Sequence, residues 1–355
     1  MSPYIYLRLL ILPASVMVSY YLGEWWTFSV PVFALVVHPL MAIILNKPVG
    51  GDHHDHHHHH SYPTIAYRIV ALVFVPVLLA VTGWLVINGE KFTPVEQAGL
   101  CLSVGLVNGI LGFTLAHEFI HSCWLPEKIA GVLLLAQNNY PHYGVEHVAG
   151  HHVYACTPKD PHTARLGESV YAFLLRTLPQ TLFSAWEIES KRLQRKKKRV
   201  FSSHNRLISL FTAQFFLYIT LIVFFGWIAF AFFMLQSCVA IILLNVTEYL
   251  QHYGLLRKEI AAGRYERISA VHAWATGRNE DGFSLFQLDN HADHHLHPSH
   301  PYEQLSRLPE SPEQPTGYAG MMWLALVPPL WFRVMNKRLI SYNLKTSCHE
   351  DAPVL

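Results

Sequence analysis

Histidines recur in this chain at spacings of three and four residues, an arrangement that lets two imidazole groups share one metal ion. Two belong to HEFIH, three to EHVAGHH, one to EYLQHYG and three to NHADHHLHP. The nine candidate ligands are His117, His121, His147, His151, His152, His252, His291, His294 and His295. Four clusters from four segments predict a site that surrounds two metal ions, and imidazole suits iron, copper, zinc or nickel.

Each cluster also carries a carboxylate close to its histidines. These acidic residues are Glu118, Glu146, Glu248 and Asp293. A histidine that binds a metal through one ring nitrogen usually donates its other N–H to a partner, which fixes the tautomer. We expect the four carboxylates to be such partners, and so to assist catalysis without binding the metal themselves.

Long apolar segments flank the histidine clusters. Of the 355 residues, 52% are hydrophobic and only 14% are charged. This composition predicts an all-α integral membrane protein with a single catalytic domain over residues 1–355. The six predicted transmembrane helices cover roughly residues 4–22, 26–45, 66–87, 96–116, 207–226 and 229–250. Residues 321–331 are too few to span a bilayer and contain Pro328-Pro329, so we expect them to dock or to lie at the interface.

The distribution of lysine and arginine predicts the orientation of these helices. The basic run Lys191–Arg199 lies between the fourth and fifth helices, whereas the turns near Glu24 and Glu90 are short and nearly uncharged. Both termini and the catalytic segments 117–206 and 251–355 are therefore expected on the cytoplasmic side of the membrane. All nine histidines then lie on that side.

Charge and cysteine content argue against several functions. The formal net charge is only +2 and the basic residues are not interleaved with aromatic ones, so no nucleic-acid partner is indicated. The five cysteines form no CxxC pair, which argues against a disulfide framework and against a rubredoxin or iron–sulfur module in this chain. The sequence has no nucleotide-binding fingerprint either, so electrons for a redox reaction must come from another protein.

Two other classes of protein use the same residue types. HEFIH fits the HExxH motif of zinc metalloproteases, with Glu118 as the general base, but that interpretation leaves seven clustered histidines unexplained. A histidine-rich loop and six helices also suggest a metal transporter. A transporter should place its metal-binding groups near the bilayer midplane, whereas these histidines gather at one end of the helices. A metalloenzyme is therefore favoured, with the transporter as the alternative.

The motifs HEFIH, EHVAGHH and NHADHHLHP resemble the histidine boxes of membrane alkane hydroxylases, within the wider membrane fatty-acid desaturase and hydroxylase superfamily. The resemblance covers about residues 95–340. It includes the connecting stretches 157–171, 185–198, 201–207 and 317–336, which desaturases are not expected to share.

One motif departs from the pattern of that family. The family usually has asparagine, tyrosine, any residue, glutamate and histidine in this motif. Here the corresponding stretch reads Glu248-Tyr249-Leu250-Gln251-His252. His252 is kept, but the carboxylate has moved one helical turn back, from the position of Gln251 to Glu248. Either the substrate range or the partners of the metal ligands are therefore expected to differ from those of the best-known relatives, and a xylene-type methyl group is one alternative substrate.

The resemblance implies a di-iron monooxygenase. Two non-haem iron ions bound by the nine histidines would use O2 to hydroxylate the terminal methyl of an alkane or a related hydrocarbon, giving a primary alcohol. The alternative within the same fold is a desaturase or hydroxylase of fatty-acyl chains. Bulky residues on the membrane helices could limit the chain length of the substrate, although ordinary helix packing or lipid contact is the favoured explanation for each. They are Trp26, Phe28, Phe33, Leu106 and Phe113.

The resemblance also implies an electron donor, a rubredoxin or ferredoxin with its reductase. Such carriers are usually acidic, so the run Lys191–Arg199 is a candidate docking surface. A polybasic segment beside a membrane also sets topology and binds anionic lipid, and both interpretations stay open.

Other histidines lie outside the nine. The tract His53–His60 is expected to bind metal ions transiently and to lie outside the catalytic centre, because catalytic ligands need rigid elements beneath them. His142, His162, His297 and His300 are expected to be polar surface residues, with His162 and His297 as candidate partners of the metal ligands.

Overall fold

The structure, a computed structural model, describes residues 2–44, 64–276 and 285–350. The histidine tract at 53–60 lies outside the described residues. The described part of the chain is mostly helical, with one small antiparallel hairpin in which Glu259 pairs with Tyr265. The predicted all-α class is therefore correct in its main feature.

We number the helices in chain order and give short 3-10 turns no label. The first six helices are α1 (Pro3–Leu22), α2 (24–44), α3 (Thr64–Ile87), α4 (Pro94–His121), α5 (Leu125–Gln137) and α6 (143–154). The others are α7 (Val170–Arg195), α8 (Arg206–His252), α9 (His291–Leu296), α10 (Tyr318–Ala325) and α11 (Pro328–Glu350). The hairpin strands are β1 (Glu259–Ala261) and β2 (Arg264–Tyr265).

Four helices in the described part of the chain, α1, α3, α4 and α8, are long and apolar enough to cross a membrane. Two predicted spans, 207–226 and 229–250, correspond to the two halves of α8. The chain leaves helical geometry at Gly226, whose φ of 80° lies in the left-handed region that glycine adopts without strain. This break falls at the predicted boundary between the two spans.

Contacts with Asn139 show that the two halves of α8 lie side by side. Asn139 Oδ1 accepts hydrogen bonds from Gln214 Nε2 at 2.6 Å and from the Tyr218 hydroxyl at 2.9 Å. Its Nδ2 donates to Ser237 Oγ at 2.9 Å. Because one side chain reaches both halves, the chain must reverse direction between Tyr218 and Ser237.

The other predicted spans differ in detail from the observed helices. Residues 26–45 were predicted as one span, and α2 there changes from a 3-10 turn through α-helix to a π-turn at Phe33–Val37. The predicted fourth span ends at residue 116, whereas α4 continues through His121 and ends only where Ser122 becomes extended. The motif HEFIH therefore closes this helix, as its histidine spacing of four residues predicts.

Helix α4 is the central element of the bundle, because 83% of its most apolar stretch is buried. Glycines let its neighbours approach closely. A Cβ atom on Gly105 would lie 2.5 Å from Val239 Cβ, and one on Gly99 would lie 2.1 Å from Thr27 Oγ1. Small residues at such contacts are the usual way in which membrane helices pack backbone to backbone.

The predicted docking segment 321–331 packs against the end of α8. Met321 and Trp331 are fully buried, and the Trp331 ring lies 5.0 Å from the ring of Tyr249. This packing holds the segment that carries His252 between α4 and the C-terminal helices.

Candidate metal centre

All nine predicted histidines meet at one place in the structure, where they form two groups. Within each group, one ligand atom per residue lies within 4.8 Å of the corresponding atoms of the others. The first group contains His117, His121, His147, His152 and His294. The second group contains His151, His252, His291 and His295. We call these the five-histidine and the four-histidine group.

The local helix type decides which histidine joins which group. His147 and His151 are four residues apart and were expected on one face of a helix, but they belong to different groups. The chain forms a π-turn at His147–His151, and this wider turn brings His147 beside His152, with 3.0 Å between their Nε2 atoms. His291 and His295 keep the α-helical spacing and share the four-histidine group.

Distances between ring nitrogens match those of ligands around a single ion. In the four-histidine group, the Nε2 atoms of His252, His291 and His295 are 2.9 to 3.3 Å apart. In the five-histidine group, His294 Nε2 lies 3.1 Å from His152 Nε2. Two nitrogens that bind one ion at about 2.1 Å and at right angles are about 3.0 Å apart. Both groups therefore have the dimensions of a metal site.

Buried ring nitrogens give a second test of whether the two histidine groups suit metal ions. His117 Nε2, His121 Nε2 and His151 Nε2 are buried and have no hydrogen-bond partner among the described residues. A buried polar atom without a partner destabilises the fold, and a metal ion at each group would remove that penalty. The donor set consists of neutral imidazoles, which suits iron among other transition metals.

Burial keeps most of the ligands in the form that binds metals. Outside the membrane helices, loss of solvation lowers the pKa of His147, His152, His291, His294 and His295 well below the ordinary value. These rings are therefore neutral near pH 7. His151 differs, because the attraction of Asp160 outweighs burial and raises its pKa.

Three of the four predicted carboxylate partners bind other groups. Glu118 Oε1 accepts a hydrogen bond from the backbone N–H of Tyr302 at 3.1 Å. Asp293 lies 2.7 Å from His297 Nδ1 and 2.8 Å from the backbone nitrogen of Ser306. Glu146 Oε2 lies 3.1 Å from His162 Nε2. In none of these contacts is the partner one of the nine histidines.

Glu248 is the predicted carboxylate that comes nearest to a ligand. Its Oε1 accepts a hydrogen bond from the Tyr143 hydroxyl at 3.0 Å. Its Oε2 lies 3.8 Å from His151 Nε2, which is beyond hydrogen-bonding distance. Glu248 therefore lies beside the four-histidine group and does not orient a ring by hydrogen bonding.

Asp160 is the partner that sequence reasoning missed. Its Oδ2 lies 3.0 Å from His151 Nδ1, and both side chains are buried. Burial would raise the pKa of this carboxyl, but His151 and His162 outweigh that effect and lower it. The only signal for Asp160 in the sequence is its position within the stretch 157–171.

Two of the histidines expected at the surface are buried. His162 is fully buried against Glu146, which raises its pKa to about 9 in spite of the opposing effect of burial. His142 is 7% exposed and packs on the ring of Tyr140. His297 agrees better with expectation, because its side chain is half exposed while its ring meets Asp293.

The residues proposed to limit chain length occupy different environments. Trp26 and Phe33 are 61% and 50% exposed on the outside of the bundle, so the structure does not support a role for them in a cavity. Phe28 is half-buried in α2. Leu106 and Phe113 are buried on α4, and Phe113 packs edge-on against Tyr140 and Tyr143.

Comparison with known proteins gives the class to which this fold and site belong. The family model of fatty acid desaturases matches residues 96–326, a range that contains all nine histidines. The chain is thus a multi-pass membrane protein of the fatty-acid desaturase and hydroxylase superfamily.

Individual relatives narrow this class. Alkane 1-monooxygenase 2 of Pseudomonas aeruginosa is 36% identical over 328 residues, which cover 91% of this chain and 86% of that protein. Alkane 1-monooxygenase 1 of the same organism is 34% identical over 348 residues, or 96% and 91% of the two chains. Alkane 1-monooxygenase 2 of Alcanivorax borkumensis is 34% identical over 322 residues, or 90% and 84%. The chain belongs to the alkane hydroxylase family and is a monooxygenase.

Proposed function

We propose that the chain holds two iron ions, one in each histidine group, and uses O2 to hydroxylate the terminal methyl of an alkane or a related hydrocarbon to a primary alcohol. The observation that supports this most strongly is the convergence of nine ring nitrogens into two groups with the dimensions of metal sites. The names of the relatives support the alkane substrate.

The side chains contribute geometry and electrostatics to this reaction. Bound iron supplies the activation of O2 and the oxidising power that amino-acid side chains lack. Asp160 holds His151 in the tautomer that presents Nε2 to the four-histidine group. Burial of the ligands keeps water away from the reacting carbon, which protects the oxidant from side reactions.

The helices explain how an insoluble substrate reaches the site. HEFIH closes α4, so the five-histidine group lies at the end of a membrane helix. An alkane dissolved in the bilayer could approach along the helices with its methyl directed toward the histidines. We also propose six membrane crossings, cytoplasmic termini and a metal centre that faces the cytoplasm of a bacterial inner membrane.

Electrons are proposed to come from a rubredoxin or ferredoxin with its reductase. The basic run supports this proposal in part. Arg192 is bound to the buried Glu189 and Lys191 to Glu187, so these two cations stabilise the protein itself. The exposed cations that remain at the end of α7 could attract an acidic carrier. They are Arg195, Lys196, Lys197, Lys198 and Arg199.

One experiment tests the proposal directly. The purified protein is analysed for metal content and then supplied with O2, a rubredoxin, its reductase and alkanes from octane to hexadecane. We expect about two irons per chain and a primary alcohol that retains an oxygen atom from O2. A protein that holds zinc and forms no alcohol contradicts the proposal.

The same assay distinguishes the alternative, a desaturase or hydroxylase of fatty-acyl chains, which belongs to the same superfamily. Fatty-acyl substrates are supplied in parallel with the alkanes. Formation of an unsaturated or hydroxylated acyl product, with no alcohol from any alkane, supports the alternative.

A further inference from the structure

A small cavity lies between the two histidine groups and the segment that precedes α9. Its lining includes His117 and His294 of the five-histidine group and His291 of the four-histidine group, together with the polar residues Thr114, Glu118 and Gln287. Phe286, Leu288 and Leu305 complete the lining. The cavity therefore brings apolar side chains together with histidines of both groups, which suits the reacting end of a hydrocarbon.

Three aromatic residues from other parts of the chain fix the ring of Phe286. Phe286 is stacked on Tyr6 of α1 with 5.1 Å between the ring centroids, and it meets Phe74 of α3 edge-on at 5.5 Å. Tyr302 packs edge-on against it at 5.1 Å. Contacts on several sides leave the ring little room to rotate away, because protein interiors are close-packed.

The backbone at this wall is strained. Phe286 and Gln287 have φ angles of 49° and 58°, in the left-handed region that side chains rarely adopt. Gln287 Nε2 donates a hydrogen bond to the Tyr6 hydroxyl at 3.3 Å, which helps to hold this conformation. Strain of this kind persists where the surrounding structure enforces it, and it often occurs at functional sites.

The size of the cavity limits what can reach the histidines. Its volume is about 20 Å3, enough for about one water-sized or methyl-sized group. A methyl group at the end of a chain fits such a space, whereas the second carbon carries an alkyl group on both sides. Secondary C–H bonds are weaker than primary ones, so an unhindered oxidant would attack the second carbon first.

We propose that Phe286 is a specificity-determining residue that restricts hydroxylation to the terminal carbon. It acts as a fixed wall that admits a methyl and excludes an internal methylene from the position facing His117 and His291. This inference rests on the proposed function, because it assumes that the substrate is a hydrocarbon chain.

The test compares the alcohols that each variant makes from octane. Phe286→Ala widens the cavity, and we expect the fraction of 2-octanol to rise at least about tenfold. Phe286→Leu removes less volume, and we expect a rise of about threefold. Phe232→Ala is the matched control, because Phe232 and Phe286 are both 3% exposed but Phe232 packs on Phe92, away from the cavity. We expect its product ratio to equal that of the wild type.

The outcomes separate the inference from the proposed function. An unchanged ratio in Phe286→Ala overturns the inference, as does an equal change in Phe232→Ala. If Phe286→Ala does not fold, as its thermal transition and metal content would show, then Phe286→Leu decides, and a wild-type ratio in that variant overturns the inference. If the wild type makes no alcohol from octane, the proposed function fails and the inference fails with it.

Discussion

Asp160 Oδ2 lies 3.0 Å from His151 Nδ1, and this contact links the four-histidine group to the loop that follows α6. The carboxylate is itself held in place. The Thr163 hydroxyl donates to Oδ2 at 2.7 Å, and the backbone N–H of His162 donates to Oδ1 at 3.0 Å. These hydrogen bonds fix the position of the Asp160 carboxylate, and the carboxylate in turn fixes the orientation of the His151 ring.

Asp160→Asn should weaken metal binding at the four-histidine group. Loss of such a partner typically lowers metal affinity by about 10-fold to 100-fold. Metal content after dialysis against a graded chelator measures the effect. Glu168→Gln is the matched control, because Glu168 is another carboxylate in an ion pair, half-buried and 2.7 Å from Arg176, but it touches no candidate ligand. Equal metal retention in Asp160→Asn and the wild type contradicts the prediction.

His294→Ala and His295→Ala should each remove one ligand from a different group. The two residues are adjacent in α9, but His294 belongs to the five-histidine group and His295 to the four-histidine group. We expect each variant to retain about one tightly bound ion in place of about two. Mössbauer spectra of iron-57 protein should show a different ion remaining in each case. Identical spectra would mean that the two groups are not separate sites.

Ionisation of the buried Glu303 side chain should make the protein less stable as the pH rises. Burial raises its pKa from about 4.5 to about 7. The folded state therefore binds this proton more tightly than the unfolded state, so the stabilisation is complete below about pH 4.5 and is lost as the pH rises through 7. We expect Glu303→Gln to abolish this loss, which is at most about 3 kcal/mol, and so to melt higher than the wild type at pH 8.

Thermal unfolding between pH 5 and pH 8 measures this difference. Glu310→Gln is the control, because Glu310 is exposed and lies in the same part of the chain. Its melting temperature should follow that of the wild type across the range. If the melting temperature of Glu303→Gln also follows that of the wild type from pH 5 to pH 8, the ionisation of Glu303 does not lower the stability of the protein.

Gly105→Ala should separate α4 from the second half of α8. The new Cβ would lie 2.5 Å from Val239 Cβ and 2.7 Å from the backbone oxygen of Gln236, so one helix must move. Overpacking of this kind costs about 1 to 3 kcal/mol. Gly83→Ala is the matched control in α3, because no atom lies within 4 Å of a Cβ there. Melting temperatures should fall for Gly105→Ala alone, and an equal fall in both variants contradicts the packing argument.

Charge reversal at the end of α7 tests the electron-donor surface. Lys196→Glu with Lys198→Glu should raise the KM for an acidic carrier about tenfold at low salt, and less at high salt, because screening weakens exposed charges. Lys337→Glu with Arg338→Glu, on α11, is the matched control. If both double variants have the KM of the wild type, the run instead sets topology or binds lipid.

The sequence was sufficient to predict that these nine histidines gather at one place, but not how they are divided between two groups. The nine histidines could be chosen because their spacings and motifs are local properties of the chain. The separation of His147 from His151 could not be predicted, since their spacing of four residues does not distinguish the observed π-turn from a regular α-helical turn. Helical periodicity assumes a regular α-helix, and functional sites often depart from it.

The carboxylates illustrate a second limit of prediction from the sequence. Glu118 was expected to meet a histidine of its own cluster, but it binds Tyr302, 184 residues further along the chain. Contacts between distant segments leave no periodic pattern in a sequence. The reversal of α8 at Gly226 could be placed correctly because a glycine between two apolar segments of spanning length is a local signal.

The division of adjacent histidines between the two groups has a mechanical consequence. His151 and His152 are covalent neighbours that belong to different groups, and so are His294 and His295. Neighbouring Cα atoms are held about 3.8 Å apart by a rigid peptide unit. The covalent chain therefore limits the distance between the two groups at two places, in α6 and in α9. A tilt or shift of either helix would move histidines of both groups together.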